Sequence, residues 1–93
     1  MSTLKLTTPF DLDGEKVESI DYDLDSLKGN DIEKAITDLG KKGIVVAMVE
    51  TDQRYHAMLF AIAAGMSYED VCRLSIKDFH KATTVVRDFF LSE

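Results

Sequence analysis

Apolar residues alternate with polar ones at the start of the chain and recur at three- and four-residue intervals over the rest. Leu4, Leu6, Phe10 and Leu12 have the period of two that marks a half-buried strand. Asp13-Gly14 then supplies the positive φ angles of a tight hairpin turn, and Val17, Ile20, Tyr22 and Leu24 mark the return strand. A two-residue turn places Phe10 opposite Val17 but would set Leu6 against Asp21. One extra residue near Glu18-Ser19 pairs Leu6 with Tyr22 and Leu4 with Leu24, so the pattern predicts a β-bulge there. Pro9 lacks an amide donor, which makes the first strand an edge at that point.

The spacing lengthens after residue 30. Asn30 and Glu33 have the form of a capping box, Ile32, Ala35, Ile36 and Leu39 form a helical stripe, and Gly40 is expected to close it. Residues 44–49 have the β-branched content of a strand, while their place between two helices allows a buried extended connection; extended backbone is the expectation. Thr51 or Asp52 caps the next helix, which is apolar nearly all round beyond Ala57 and belongs at the centre of a core or between a core and a partner. Gly65 stops it, Ser67 starts a short helix, and Ser75 starts a long one over residues 76–91.

On that last helix Ile76, Phe79, Thr83, Val86 and Phe90 fill one sector, and Ala82, Val85 and Phe89 extend it. The combined arc exceeds the roughly 100° stripe of an ordinary surface helix. The second stripe, Ala82, Val85 and Phe89, is therefore the candidate protein contact surface, with Phe60 of the central helix beside it. Arcs wider than so small a chain can cover also point to a homo-oligomer. The fold class expected is α+β: an N-terminal β-hairpin and a small bundle of about four helices, three substantial and one short. Residues 1–93 make one domain, with hairpin and connection over 1–27 and the helical part over 30–93.

Charge narrows the partners. The chain carries a net −6, and residues 1–31 hold eight acids against three lysines. Nucleic-acid binding requires clustered Lys and Arg, whereas the last helix offers Lys77, Lys81 and Arg87 interrupted by Asp78 and Asp88. The longest uncharged apolar run, residues 57–66, falls far short of the roughly 20 residues that span a bilayer, so no membrane role is expected. No apolar signal core follows Lys5, and the one cysteine, Cys72, fits a reducing compartment as a small packed residue. A cytoplasmic location is expected.

Chemistry is not offered by these residues. Asp21, Asp23 and Asp25 suggest a calcium loop, but Ser26 and Ile32 stand where its glycine and glutamate belong, and the solvent face of a strand explains the acids. His56 and His80 lie on different helices without a second ligand at metal spacing and are read as surface or boundary residues. No serine has the setting of a nucleophile elbow and no glycine-rich phosphate loop occurs. The expectation is no enzyme, no cofactor and no metal.

Several stretches together resemble a known family. They are residues 9–17, reading Pro-Phe-Asp-Leu-Asp-Gly-Glu-Lys-Val, the segment from Leu24 to Ile32, residues 63–71, residues 74–79, and the ending Val85-Val86-Arg87-Asp88-Phe89-Phe90-Leu91. The chain resembles, over residues 4–91, the short tail assembly chaperones of contractile-tailed bacteriophages and prophages. The resemblance implies a non-catalytic protein of the bacterial host cytoplasm, absent from the finished virion. It would hold the tape measure protein soluble while tail tube subunits polymerise, and many members also have a longer frameshifted form. The alternative is a small self-associating structural or adaptor subunit of a phage or prophage-derived particle.

Overall fold

The computed structural model describes residues 2–48 and 51–91. An antiparallel hairpin, β1 (Ser2–Leu12) and β2 (Glu15–Tyr22), leads through a 3₁₀ turn at Leu24–Ser26 into four helices. These are α1 (Gly29–Lys41), α2 (Gln53–Ala64), α3 (Tyr68–Cys72) and α4 (Ile76–Leu91). The expected α+β architecture is the one observed.

Local signals place most of the boundaries. Asp13 and Gly14 both adopt positive φ (54° and 85°), giving the two-residue turn that sets Leu12 opposite Glu15 and Phe10 opposite Val17. The Asp52 carboxylate accepts the amides of Arg54 and Tyr55 and caps α2. Ser67 accepts the Asp70 amide at the start of α3, and Ser75 accepts the Asp78 amide at the start of α4. Gly65 ends α2 in the left-handed region at φ 69°. A Cβ added there meets nothing within 4 Å, so Gly65→Ala is resisted by backbone strain alone. The expected cost is about 1 kcal/mol, read as a thermal shift of roughly 4–8 °C, with Gly65→Asn affected less.

Other boundaries depart from expectation. Helix α1 starts one residue before Asn30, and its capping carboxylate is that of Asp31, which accepts the Lys28 amide at 2.9 Å, instead of Glu33. The helix also runs through Gly40 to Lys41, and the left-handed turn falls at Gly43, after which the Ile44 amide returns to the Leu39 carbonyl. Residues 44–48 form no strand, and the connection is not buried, with Val45 80% and Met48 60% exposed; Val49 lies outside the described residues. Strand β2 ends at Tyr22, so Leu24 and Asp25 belong to the 3₁₀ turn and not to the solvent-facing strand that the alternating acids suggested.

The register break is real but falls on the other strand. Leu4 pairs with Ile20 and Lys5 with Ser19, so residues 6–9 of β1 stand opposite the single Glu18 of β2. The expected pairs Leu6 with Tyr22 and Leu4 with Leu24 do not form; Tyr22 stands opposite Ser2, and the apolar pairs are Leu4 with Ile20 and Phe10 with Val17. The shift is taken up on β1 at Leu6-Thr7-Thr8-Pro9, where Pro9 cannot donate to a ladder and the Thr7 and Thr8 amides find another acceptor.

Helix α2 is the axis of the core. Residues 55–61 are all buried, and α1, α3, α4 and β2 pack around them. Phe60 is 0% exposed, with its ring 5.2 Å from that of Tyr22. The hairpin rests with β1 against α4 and β2 against α2.

Candidate partner-binding surfaces

The seam between hairpin and α4 is closed by one carboxylate. Asp78 is 0% exposed, and its Oδ1 accepts the Thr7 amide (2.8 Å) and the Thr7 hydroxyl (3.0 Å) while Oδ2 accepts the Thr8 amide (3.2 Å). Burial pushes this carboxyl up, but the Thr7 and Thr8 amides, with the Ser75 and Thr7 side chains, outweigh it and hold the group below its ordinary 3.8. Lys81 donates to the Lys5 carbonyl, and Arg73 reaches the Asp11 carbonyl at 3.2 Å while lying over the Phe10 ring. Side chains of α4 and of the residue capping α3 thus bind the backbone of β1 at four residues.

Further along α4 the buried line is Asp78, Ala82, Thr83 and Val86, which runs between the two sectors expected from the sequence. Val85 is half-buried and Phe89 is 38% exposed. These two side chains line a recess with Tyr22 and Leu24, and Asp23, Asp25 and Asp88 stand at its rim. Phe90 and Leu91 continue the apolar surface to the end of the helix, the Phe90 ring packing edge-on against Phe89 at 5.5 Å.

A second recess lies on the far side of α2, between α1 and α3. Met58, Ala61, Ile62, Met66 and Tyr68 form its apolar lining, and Lys34, Lys41 and Lys42 rim it with Asp38 and Glu69. Lys34 pairs with Asp38 at 2.6 Å and Lys42 pairs with Glu69 while lying over the Tyr68 ring, 5.7 Å from its centroid. These lysines hold both carboxyls below their ordinary values. Burial, with the Cys72 thiol alongside, pushes the Tyr68 hydroxyl up to about 12, so the groove keeps a neutral phenol at every physiological pH.

The chain matches the model of a family described as "Phage tail assembly chaperone proteins, E, or 41 or 14" over residues 3–91. It belongs to these phage tail assembly chaperones. No curated protein matches it and no solved structure does.

In this tail assembly chaperone the four candidate contact residues divide. Phe60 and Ala82 lie in the core and offer no surface to a partner, whereas Val85 and Phe89 border the acid-rimmed recess. Ile76, assigned by its spacing to the first sector, is 86% exposed at the start of α4, beside Thr7, Lys77 and Lys81. Cys72 is exposed instead of packed, and His56 is buried instead of lying at the surface. His56 and His80 line one polar recess with Gln53 and Thr83, whose side chains bond at 3.1 Å. No group of three or more metal-ligating side chains gathers among the described residues, and no helix among them is long and apolar enough to cross a membrane.

Asp78 and the lysine-rimmed groove are the features that sequence reasoning missed. Asp78 stands four residues before Ala82 and eight before Val86, on the apolar side of its helix. An acid at that spacing must find donors, and Thr7-Thr8-Pro9 is where the strand has amides to spare. The groove had no comparable signal, since its lining comes from three helices.

Proposed function

We propose that this chain is a non-catalytic chaperone of tail morphogenesis in the contractile-tail type of phage or prophage. It acts in the bacterial host cytoplasm and binds the tape measure protein, the tail tube protein, or both. The carrying observation is the apolar edge of α4, where Val85 and the exposed Phe89 continue onto Tyr22 and Leu24 inside a rim of aspartates. A holdase covers an amphipathic segment with an apolar face of its own, and a rim of like charge keeps the complex soluble. Phe60 and Ala82 support this surface from beneath without touching the partner.

Co-expression with the neighbouring tape measure and tail tube proteins, read by affinity capture, tests the proposal. The native chain is expected to keep at least one of them soluble. Replacing Val85 and Phe89 together by Asp is expected to lower capture at least about tenfold with the helical circular dichroism unchanged. Unfolding of that variant would place both residues in the core and remove the surface. Recovery of the protein in finished particles would assign it to a structural subunit instead.

A further inference from the structure

The two strands of the hairpin differ in what covers their outer edges. In an antiparallel pair, alternate residues of each strand direct their amide and carbonyl away from the partner strand, and those groups need another bond or water. On β1 that edge is covered: the Thr7 and Thr8 amides bind Asp78, the Lys5 and Asp11 carbonyls accept from Lys81 and Arg73, and Pro9 has no amide to offer. On β2, among the described residues, no backbone group of residues 15–22 bonds outside the hairpin. The first to do so is the Asp23 amide, just past the end of the strand, which donates to the Ala63 carbonyl at 3.0 Å.

A recess lies between residues 19–21 of β2 and residues 64–67, where α2 turns into α3. Its far wall is built of small residues, Ala64, Gly65 and Ser67, and a Cβ placed on Gly65 meets nothing within 4 Å. The charged side chains that line it are Asp13, Asp21 and Asp70. Strand β2 itself exposes Glu15, Glu18 and Asp21 against Lys16. Arg73 answers Asp70 at 2.8 Å and the Thr3 hydroxyl donates to Asp21 at 2.7 Å, but Asp13, Glu15 and Glu18 make no ion pair among the described residues. The open edge is therefore an acidic one.

We propose that β2 is a strand-addition site: an extended segment of another protein, alternating Lys or Arg with small or apolar residues, pairs with its outer edge and lies in the recess. Unanswered amides and carbonyls along a strand are matched by extended backbone, whereas a helix satisfies its own groups. The carboxylates along the edge select a cationic segment over an acidic one. A third strand also adds ladder bonds to a sheet that has only two. None of the residues lining this recess lines the one at the α4 edge, so the two are open to different occupants at once.

The probe is a synthetic peptide of alternating Val and Lys, capped at both ends and eight residues long to match β2. Amide hydrogen exchange of the full chain, followed residue by residue by NMR, reads its binding at peptide concentrations up to about 1 mM. Exchange of β2 amides is expected to slow at least about tenfold on saturation. The same peptide N-methylated at its four central residues keeps its charge but loses donors from both edges, and it is expected to bind at least about tenfold more weakly. A peptide with Glu in place of Lys is expected to bind more weakly by a similar factor. Glu15→Lys with Glu18→Lys, both at exposed positions, is expected to lower affinity for the Val-Lys peptide with the circular dichroism unchanged. The comparison among peptides needs no variant and decides the matter if that one fails to fold.

Unchanged exchange of the β2 amides throughout the titration overturns the proposal. So does equal binding of the N-methylated peptide, which would mean attraction by charge without strand pairing. Slowing confined to the α4 edge or to the lysine-rimmed groove would place the peptide elsewhere and also overturn it. Slowing of the β2 amides on raising the protein concentration alone, with no peptide present, would put a second copy on the edge in place of a cationic segment.

Discussion

Asp78→Ala is expected to destabilise the protein by about 2–3 kcal/mol, a large share of the total for a small domain. The substitution leaves the Thr7 and Thr8 amides and the Thr7 hydroxyl without their acceptor, while the Ser75 cap, which is bonded by the backbone amide of residue 78, remains. Water can reach the exposed threonine side, which keeps the loss below that of a fully enclosed ion pair. Asp78→Asn preserves the shape and one acceptor oxygen but turns an NH₂ group toward a donor, and about half the effect is expected. Urea unfolding checks both, and a change under about 0.5 kcal/mol in Asp78→Ala would mean that the carboxylate is not what closes the seam. The pH dependence has a definite sign. A carboxyl held below 3.8 in the folded state contributes stability that is fully present above the unfolded value and is lost as pH falls through the folded one. Acid unfolding of the native chain should therefore draw on this group below about pH 4, and the stability difference between native and Asp78→Asn should shrink as the pH drops through that range.

Phe60→Ala is expected to cost more, about 3–5 kcal/mol. The ring is wholly buried at the middle of α2, where the neighbouring turns are buried as well and Tyr22 packs on it. Alanine leaves a void bounded by other elements, so local collapse is limited. Phe60→Leu retains most of the volume and should cost less than half as much. Both are read from the midpoint of urea unfolding with an unchanged slope. A loss near 1 kcal/mol for Phe60→Ala would contradict the central position of α2. The pair of variants also guards the binding experiments, because any capture lost in Phe60→Ala follows from a weakened fold and is no measure of contact.

Much of this architecture was legible because it is local. The turn at Asp13-Gly14, the caps at Asp52, Ser67 and Ser75, and the stop at Gly65 each depend on a few adjacent residues whose backbone chemistry admits few alternatives. The all-round apolar character of α2 likewise announced its central place. Errors arose where two local solutions were equivalent. Asp31 and Glu33 are both placed to cap a helix, and a helix that starts at Gly29 makes Asp31 its third residue, within reach of the Lys28 amide. The apolar pattern called for a register shift in the hairpin but not for the strand that carries it; the extra residues lie on β1, where the Thr7 and Thr8 amides bind the Asp78 carboxylate some 70 residues away. The apolar edge of α4 was readable from the width of its arc, whereas the burial of Ala82 and Phe60 depends on which sector the neighbouring elements cover.

The bond between Thr7 and Asp78 joins residues 71 apart, and during synthesis it orders events in time. The hairpin leaves the ribosome first, and its turn lets it form early from neighbouring residues. Its outer strand nonetheless waits, with the Thr7 and Thr8 amides bound to water, until the first turn of α4 has emerged and Asp78 can take them. Closure of the seam between hairpin and α4 is thereby coupled to synthesis of the last helix, after every other element of the fold has been made.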